Sequence, residues 1–576
     1  MTRPTIAADV AATLTAQIPS RLVKKLDADP TLADKWTWTA TQVTTDKGET
    51  VKFRLADGII TEVVCSCLLN PKCLHVAAVI SLLEPAEGSS KPAAAAIALA
   101  PAGEPVVSTP DGVAAASRAF RAVADVIAAG AEASGAFAQA ELLRAIHACR
   151  TVGLHRLAAA QTRALRSIRE LRADKAEFAL EILTADLRDA LAVSHALAAG
   201  EASPALVGKS RRDYEQIGNL RLRGVFTEAV VARSGYAGAI TYLVDDKGDL
   251  YTRADVAPGD AGRAAGAYDA AAGIGDAVLP HRELCRTGLF VSDATASGDG
   301  RLGAGQKVRA VRASEPSRWD HDHLVARFRI SLADQLARIA AGDAEPDDLR
   351  TAGWDLAFVE GTIVGGPGGV GVIAQGDIPV RFTTAHEQRI LASRDNLTVL
   401  ARASGLRVRA IGRVRIGTPR QLELLALGPA ADETRFTMAE TWHGRANLHY
   451  DRLSILALGE AAAVAVVPAP RGLDFLATDD LLSPLRRRVE RAVLGGAGTL
   501  PTHAIGELER EAAQLSDRVL RGGADVLRDL AALAHDAGRS ATGARRALDR
   551  TTFARAWLRA ALYEDAARRR LSVASW

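Results

Sequence analysis

Three cysteines and a histidine fall within eleven positions of one another, as Cys65-x-Cys67-x5-Cys73-x-His75. Thiolates and neutral imidazole are the ligands Zn²⁺ prefers, and structural zinc sites take four of them in a tetrahedron. The spacing suits one ion. Side chains two apart on a strand face the same side, so Cys65 and Cys67 can grip it together. A short loop containing Asn70-Pro71 then returns the chain, and Cys73 and His75 complete the set. A surface histidine beside buried cysteines would explain any one of these residues alone, but not four ligand types so close together. A redox pair is a poor alternative, because CxC closes a very small, strained ring and leaves His75 unexplained. A catalytic zinc needs an open coordination position, and four protein ligands leave none. The residues predict a closed, structural site for one Zn²⁺.

A second pattern concerns phosphate chemistry. In LRVRAIGRVRIGTPR, Arg407, Arg409, Arg413 and Arg415 share parity, while Leu406, Val408 and Val414 alternate with them. On an unbroken strand the arginines would line one face, and Gly412 is a place where a bulge could break the register. A row of arginines on a barrel face suits a polyphosphate backbone. The competing reading is an ordinary solvated face, and the scarcity of aromatic residues nearby counts against stacking on single strands.

Other motifs carry less. Gly366-Pro-Gly368-Gly-Val-Gly371 matches GxGxxG, but the following VGVIAQGDIPVRF reads as strand rather than the helix a dinucleotide site requires, so GGPGGVG is read as a hairpin loop. Gly303-Ala-Gly305-Gln-Lys307 lacks the spacing of a phosphate loop. Asp320-His321-Asp322-His323 reads as a solvated turn before a strand at about 324–330, and Cys149 lies between His147 and His155 in a helical stretch. Neither GxSxG nor HExxH is present.

The elements that must hold the four ligands follow from the pattern around them. Residues 36–64 alternate as strands, with a turn at Ala56-Asp57-Gly58, and HVAAVISLL places Val76, Val79, Ile80 and Leu83 at helical spacing before Pro85. The order is strand, strand, cysteines, helix. Further along, Leu154, Leu157, Leu165, Ile168 and Leu171 form one helical stripe, with Arg163, Arg166, Arg169 and Arg172 on its other faces, read as solvated. GAITYLVDDKGDLYTRADV is a hairpin across Asp245-Asp246-Lys247-Gly248. Between 356 and 428 the order is three strands, a helix at about 386–403 and two strands, the order of an OB-fold barrel. Residues 213–312 allow the same order.

CxC…CxH followed by HVAAVI resembles the SWIM-type zinc finger, over roughly residues 50–84. The resemblance implies that Cys65, Cys67, Cys73 and His75 are the ligands of one Zn²⁺, and that the module binds DNA or another protein. The five residues between Cys67 and Cys73 are at or just below the short end of the family's spacing. The chain as a whole looks like bacterial SWIM-finger proteins of unassigned role, some of them associated with ATPase systems.

Bulk properties bound the rest. At 576 residues the chain is too long for one core, and 48% hydrophobic with 24% charged residues is an ordinary globular balance. A net charge of +3 neither requires nor excludes nucleic acid. No apolar run spans a bilayer, no secretory signal is seen at the start, and the five cysteines do not form a disulfide framework, so a cytoplasmic location is expected. The expected architecture is multidomain α+β. It has a small ββα-like SWIM zinc module at 1–84, a Pro/Ala/Gly-rich linker at 85–112 and a helical domain at 113–204. A β-rich domain at 205–345, an OB-like barrel at 346–430 and a mainly helical C-terminal region at 431–576 follow. The expected function is non-enzymatic binding, with nucleic acid as the partner through the zinc module and the Arg407–Arg415 strand. The alternative is a protein–protein adaptor in a multicomponent, ATPase-containing system. No small-molecule substrate is identified from the sequence.

Overall fold

The computed structural model describes residues 32–83, 108–456, 480–500, 505–536 and 548–576, together with Pro4–Ile6, Val10, Leu14 and Leu22, and apart from single loop positions (57, 68, 69, 72, 81, 210–212, 306, 347, 348, 367, 368, 375–377 and 419). The chain divides into two compact units. One gathers residues 1–98, 213–475 and Trp576, the other residues 99–212 and 476–575. Most of the expected linker lies outside the described residues, and its last part is already helix, because Pro110 opens a helix capped by Thr109 Oγ1, which accepts from Gly112 N at 3.1 Å.

The first unit is rich in β structure. At its N-terminus a sheet runs β1 (Thr5–Ile6), β5 (Ile59–Cys65), β4 (Thr50–Ala56), β3 (Gln42–Thr44) and β2 (Thr37–Trp38) in that spatial order. One face of β4 and β5 carries Val51, Phe53, Ile60 and Val63 inward, and the helix Leu74–Ile80 lays Val76, Val79 and Ile80 against them. Val311, from β12 (Arg309–Pro316), is buried in the same cluster, so the module's core is continuous with the strands that follow it in this unit.

The next strands form two rings. β6 (Tyr214–Ala232), β7 (Tyr236–Val244) and β8 (Leu250–Pro258) are a meander, and Asp245 Oδ1 turns the β7–β8 hairpin by accepting from Lys247 N and Asp249 N at 2.9 and 2.8 Å. A two-stranded ribbon, β9 (Ala271–Ile274) and β10 (Ala277–Pro280), comes next. β11 (Thr287–Ser297) pairs with the first half of β6, and β12 pairs with β11. Bridges Thr252–Arg301, parallel, and Ala296–Leu302, antiparallel, link β8 to β11. In the second ring β13 (Leu356–Gly366), β14 (Gly369–Ala374) and β15 (Ile378–Thr383) form the meander. β16 (Arg407–Arg413) pairs with β13, and β17 (Gln421–Pro429) lies between β16 and β15, parallel to β15. A short strand β18 (Ala446–Asn447) adds to β17. Each ring has a helix between its third and fourth strands, Ala261–Ala267 in one and Ser393–Leu400 in the other. The strand order expected over 356–428 is therefore present, and GGPGGVG is the β13–β14 hairpin, with Gly366 opposite Gly369.

Two expectations differ. Residues 322–329 form a helix, not a strand, because Leu324 and Phe328 are four apart and both are buried between the two rings with Trp319, Phe226 and Phe358. Residues 431–456 belong to the β-rich unit rather than to a helical tail; Arg445 is wholly buried there and donates to Ser317 O at 2.7 Å and to Cys285 O.

The second unit is helical and is built from two separated stretches of sequence. Helices Pro110–Ala129, Ala136–Thr151, His155–Arg172 and Leu180–Ala198 share one core with Ser483–Gly495, Ile505–Asp517, Arg521–Asp536 and Arg550–Ala574. Trp557, fully buried, donates from Nε1 to Val489 O at 3.0 Å. Gly130 and Gly496 meet where two of these helices end. Both have positive φ, and a Cβ on either would sit 2.4–2.5 Å from the other segment's backbone. The arginines of His155–Arg172 hold the bundle together: Arg163 pairs with Asp186 at 2.7 Å and with Asp189 at 3.2 Å, and Arg172 donates to Glu132 O at 2.5 Å.

Candidate metal centre

Cys65 ends β5 and Cys67 follows it, while Cys73 immediately precedes the helix Leu74–Ile80 and His75 lies in its first turn. One ligand atom from each of the four residues lies within 4.8 Å of the other three. Metal–sulfur distances of about 2.3 Å in a tetrahedron put ligand atoms roughly 4 Å apart, so the cluster has the span one ion requires. The Cys65 sulfur is 3.6 Å from His75 Nδ1. Cys65 and Cys73 are buried, whereas Cys67 and His75 are partly exposed.

Local bonds hold this shape. Asn70 Oδ1 accepts from Cys65 N at 2.7 Å and ties the loop to the end of β5. Val76 N, at the start of the helix, points at the Cys73 sulfur at 3.4 Å, and Cys67 N at the Cys65 sulfur at 3.5 Å. Such N–H groups favour a thiolate. The Trp36 ring stands edge-on to His75 with centroids 5.8 Å apart, shielding one side. Burial, together with the neighbouring thiols, pushes the Cys65 thiol up to about 12 and raises Cys73 as well. Three sulfurs packed like this need a cation to carry thiolate charge. The donor set and its span fit a metal ion.

The four strand arginines are placed differently from an open cationic row. Arg407 pairs with Glu360 at 2.9 Å and with Asp432, and Arg409 pairs with Glu360 at 2.8 Å while lying over the Phe328 ring. Arg413 turns into the space between the rings, where Glu228 accepts two bonds from it at 2.9 Å and Asp355 one at 2.5 Å. Arg415 lies beyond the end of β16 and pairs with Glu423. The bulge falls between Ile411 and Gly412. Every one of these guanidiniums already has a carboxylate, so the row is not a vacant phosphate track.

The sequence reading missed the polar interior around Arg413. Glu228 also accepts from Tyr242 Oη at 3.0 Å. Burial opposes the charge on Arg413, but Glu228 and Asp355 outweigh it and hold its pKa well above the ordinary value. Nearby, Thr227 N donates to Asn447 Oδ1 and Ala229 N to His449 Nδ1, both at 2.9 Å. Side chains here serve the edge of β6 that β11 leaves beyond Arg223, where β6 keeps β7 on its other side.

Two histidines of this interior predict an acid response. Burial lowers His281 to about 4 and His449 to about 3, from an ordinary value of 6.5. His449 Nδ1 faces an N–H, so a proton there would place donor against donor. Both groups are neutral in the folded state and protonate more readily when unfolded. Their contribution is therefore complete above pH 6.5 and falls with pH below it, by about 1.4 kcal/mol per pH unit for each. The urea midpoint should drop steeply between pH 6.5 and 4.5, and His449→Asn, which keeps an acceptor for Ala229 N, should shallow that slope by one group's share. An unchanged slope would remove His449 from the account.

Comparison of the chain with family models, with curated proteins and with solved structures gave no match.

Proposed function

We propose that this is a non-enzymatic binding protein whose N-terminal SWIM-type module is held together by one structural Zn²⁺, and that nucleic acid is its partner. The convergence of Cys65, Cys67, Cys73 and His75 within 4.8 Å carries the zinc reading. Three sulfurs and one imidazole select zinc over the oxygen-seeking cations, and a four-ligand shell favours a structural role. The partner reading rests on the resemblance of the module and on its exposed Lys47 and Lys52, with Arg54 beside them paired to Glu62 at 3.2 Å on an open surface where such a pair contributes little. The closed strand order of both rings fits OB-like barrels in the same binding protein. A protein–protein adaptor in an ATPase-containing system is the second reading. What favours it is the pairing of Arg407, Arg409, Arg413 and Arg415 with carboxylates, which takes the expected phosphate track away.

Fluorescence anisotropy of labelled DNA and RNA across a salt series separates the two. Contacts from the three exposed cations should give a slope of log affinity on log salt of roughly −2 to −3. Lys52→Ala with Arg54→Ala should flatten it by about two contacts' worth, while Arg407→Ala with Arg409→Ala leaves it alone. No binding at low salt makes the adaptor the favoured reading.

A further inference from the structure

Between the two rings of the β-rich unit lies an open cleft of about 450 Å³. This is within the range of small-molecule sites, roughly 300–1,000 Å³. Its floor is the Glu228–Arg413–Asp355 cluster with Tyr242, its walls include Val231, Ile240 and Trp354, and Ala385 stands exposed at its rim.

The hydrogen-bonding inventory of the cleft is lopsided. Its guanidiniums are engaged. Arg413 is shared between Glu228 and Asp355. Arg350 donates to Gly342 O and Asp343 O, at 3.1 and 2.9 Å, and lies over the Trp354 ring at 4.5 Å. Arg415 is paired with Glu423. Two acceptors are not used. Asp355 accepts from Arg413 through Oδ2, and no donor among the described residues reaches its Oδ1. His386 turns Nε2 to Ala229 O at 3.1 Å, so that nitrogen carries the proton and Nδ1 presents a bare lone pair without a partner among the described residues. Neither atom is sealed from solvent. Glu228, Asp299 and Asp355 balance Arg350, Arg413 and Arg415 along the lining, and burial keeps His386 from adding a positive charge at neutral pH.

We propose that this cleft is a binding site for a small organic cation, a protonated amine or guanidinium on an apolar stem, with its donors directed to Asp355 Oδ1 and His386 Nδ1 and its stem along Val231, Ile240 and Trp354. An anion would meet the carboxylates of Glu228 and Asp355, and Arg413 is already shared between them. A neutral ligand could not give Asp355 Oδ1 the charge-assisted bond that a cation offers. The site is independent of the metal centre and of the partner that the N-terminal module takes.

Calorimetric titration of the full chain tests this with three probes of similar length: agmatine, its uncharged analogue butylurea, and the dianion glutarate. Agmatine should bind saturably and at least about tenfold more tightly than butylurea, as charge-assisted bonds are about twice as strong as neutral ones. Asp355→Asn should weaken agmatine by about tenfold or more. Since Asp355 also holds Arg413, Ala385→Trp serves as a second variant, filling the rim without touching the ion cluster, and it should abolish binding while leaving the unfolding midpoint in place. No agmatine heat at about 10 mM, equal affinity for butylurea, preference for glutarate, or full binding by Ala385→Trp would each overturn the proposal.

Discussion

Removing the metal should unfold the N-terminal module. Structural zinc contributes about 10–16 kcal/mol of apparent binding energy in zinc-finger peptides, and most of it is folding energy. The module's own apolar core, built around Val51, Phe53, Ile60, Val63 and Val79, is small by comparison. Elemental analysis should find about one zinc per chain, and Cys73→Ser or a chelator should abolish it. Hydrogen exchange should then accelerate across β4, β5 and the helix Leu74–Ile80. The continuity of the core through Val311 adds a specific expectation: β12 should lose protection with the module, while the helical unit keeps its own. Protein purified without chelators and free of metal would defeat the assignment, and β12 protection unchanged on metal loss would show that the shared core is not cooperative.

The second large effect belongs to the buried ion cluster. Glu228→Ala leaves the Arg413 guanidinium facing only Asp355 in a space where Glu228 itself is 3% exposed. Breaking a buried pair from one side costs about 3–5 kcal/mol, since the remaining charge stays desolvated. Replacing the whole cluster together, Glu228→Leu, Arg413→Met and Asp355→Asn, should cost far less, because no lone charge is left behind. Urea unfolding of the two variants decides the matter. A single-variant loss under about 1 kcal/mol would mean that water reaches the cluster freely.

What could be read from the sequence was what is local in it. The four candidate metal ligands lie within eleven residues, so the strand parity of Cys65 and Cys67 and the helical spacing after His75 were enough to bring them together. The strand–helix order of 356–428 was legible for the same reason. Arg407, Arg409 and Arg413 did read correctly as residues of one strand, but their partners did not. Glu228 is 185 positions from Arg413 and on another ring, and parity gives a side chain's face, not what stands opposite it. Val325 to Ile330 alternates like a strand, yet burial of Leu324 and Phe328 four apart settles it as helix. The histidines were silent in sequence because their ionisation is set by burial, which no local pattern encodes.

The interleaving of the two units also bears on how the molecule is made. The helix Pro110–Ala129 leaves a ribosome long before Arg550–Ala574, yet Phe120, Val123 and Ile127 share a core with Phe553, Trp557 and Ala561. During synthesis the early helices must wait, with that apolar face open to solvent or to a chaperone, until several hundred more residues have been added. At roughly 5–20 residues per second this exposure lasts on the order of a minute. Arrested nascent chains ending before Ser483 should accordingly be held by chaperones, and slower translation should lengthen the period in which they can misassemble.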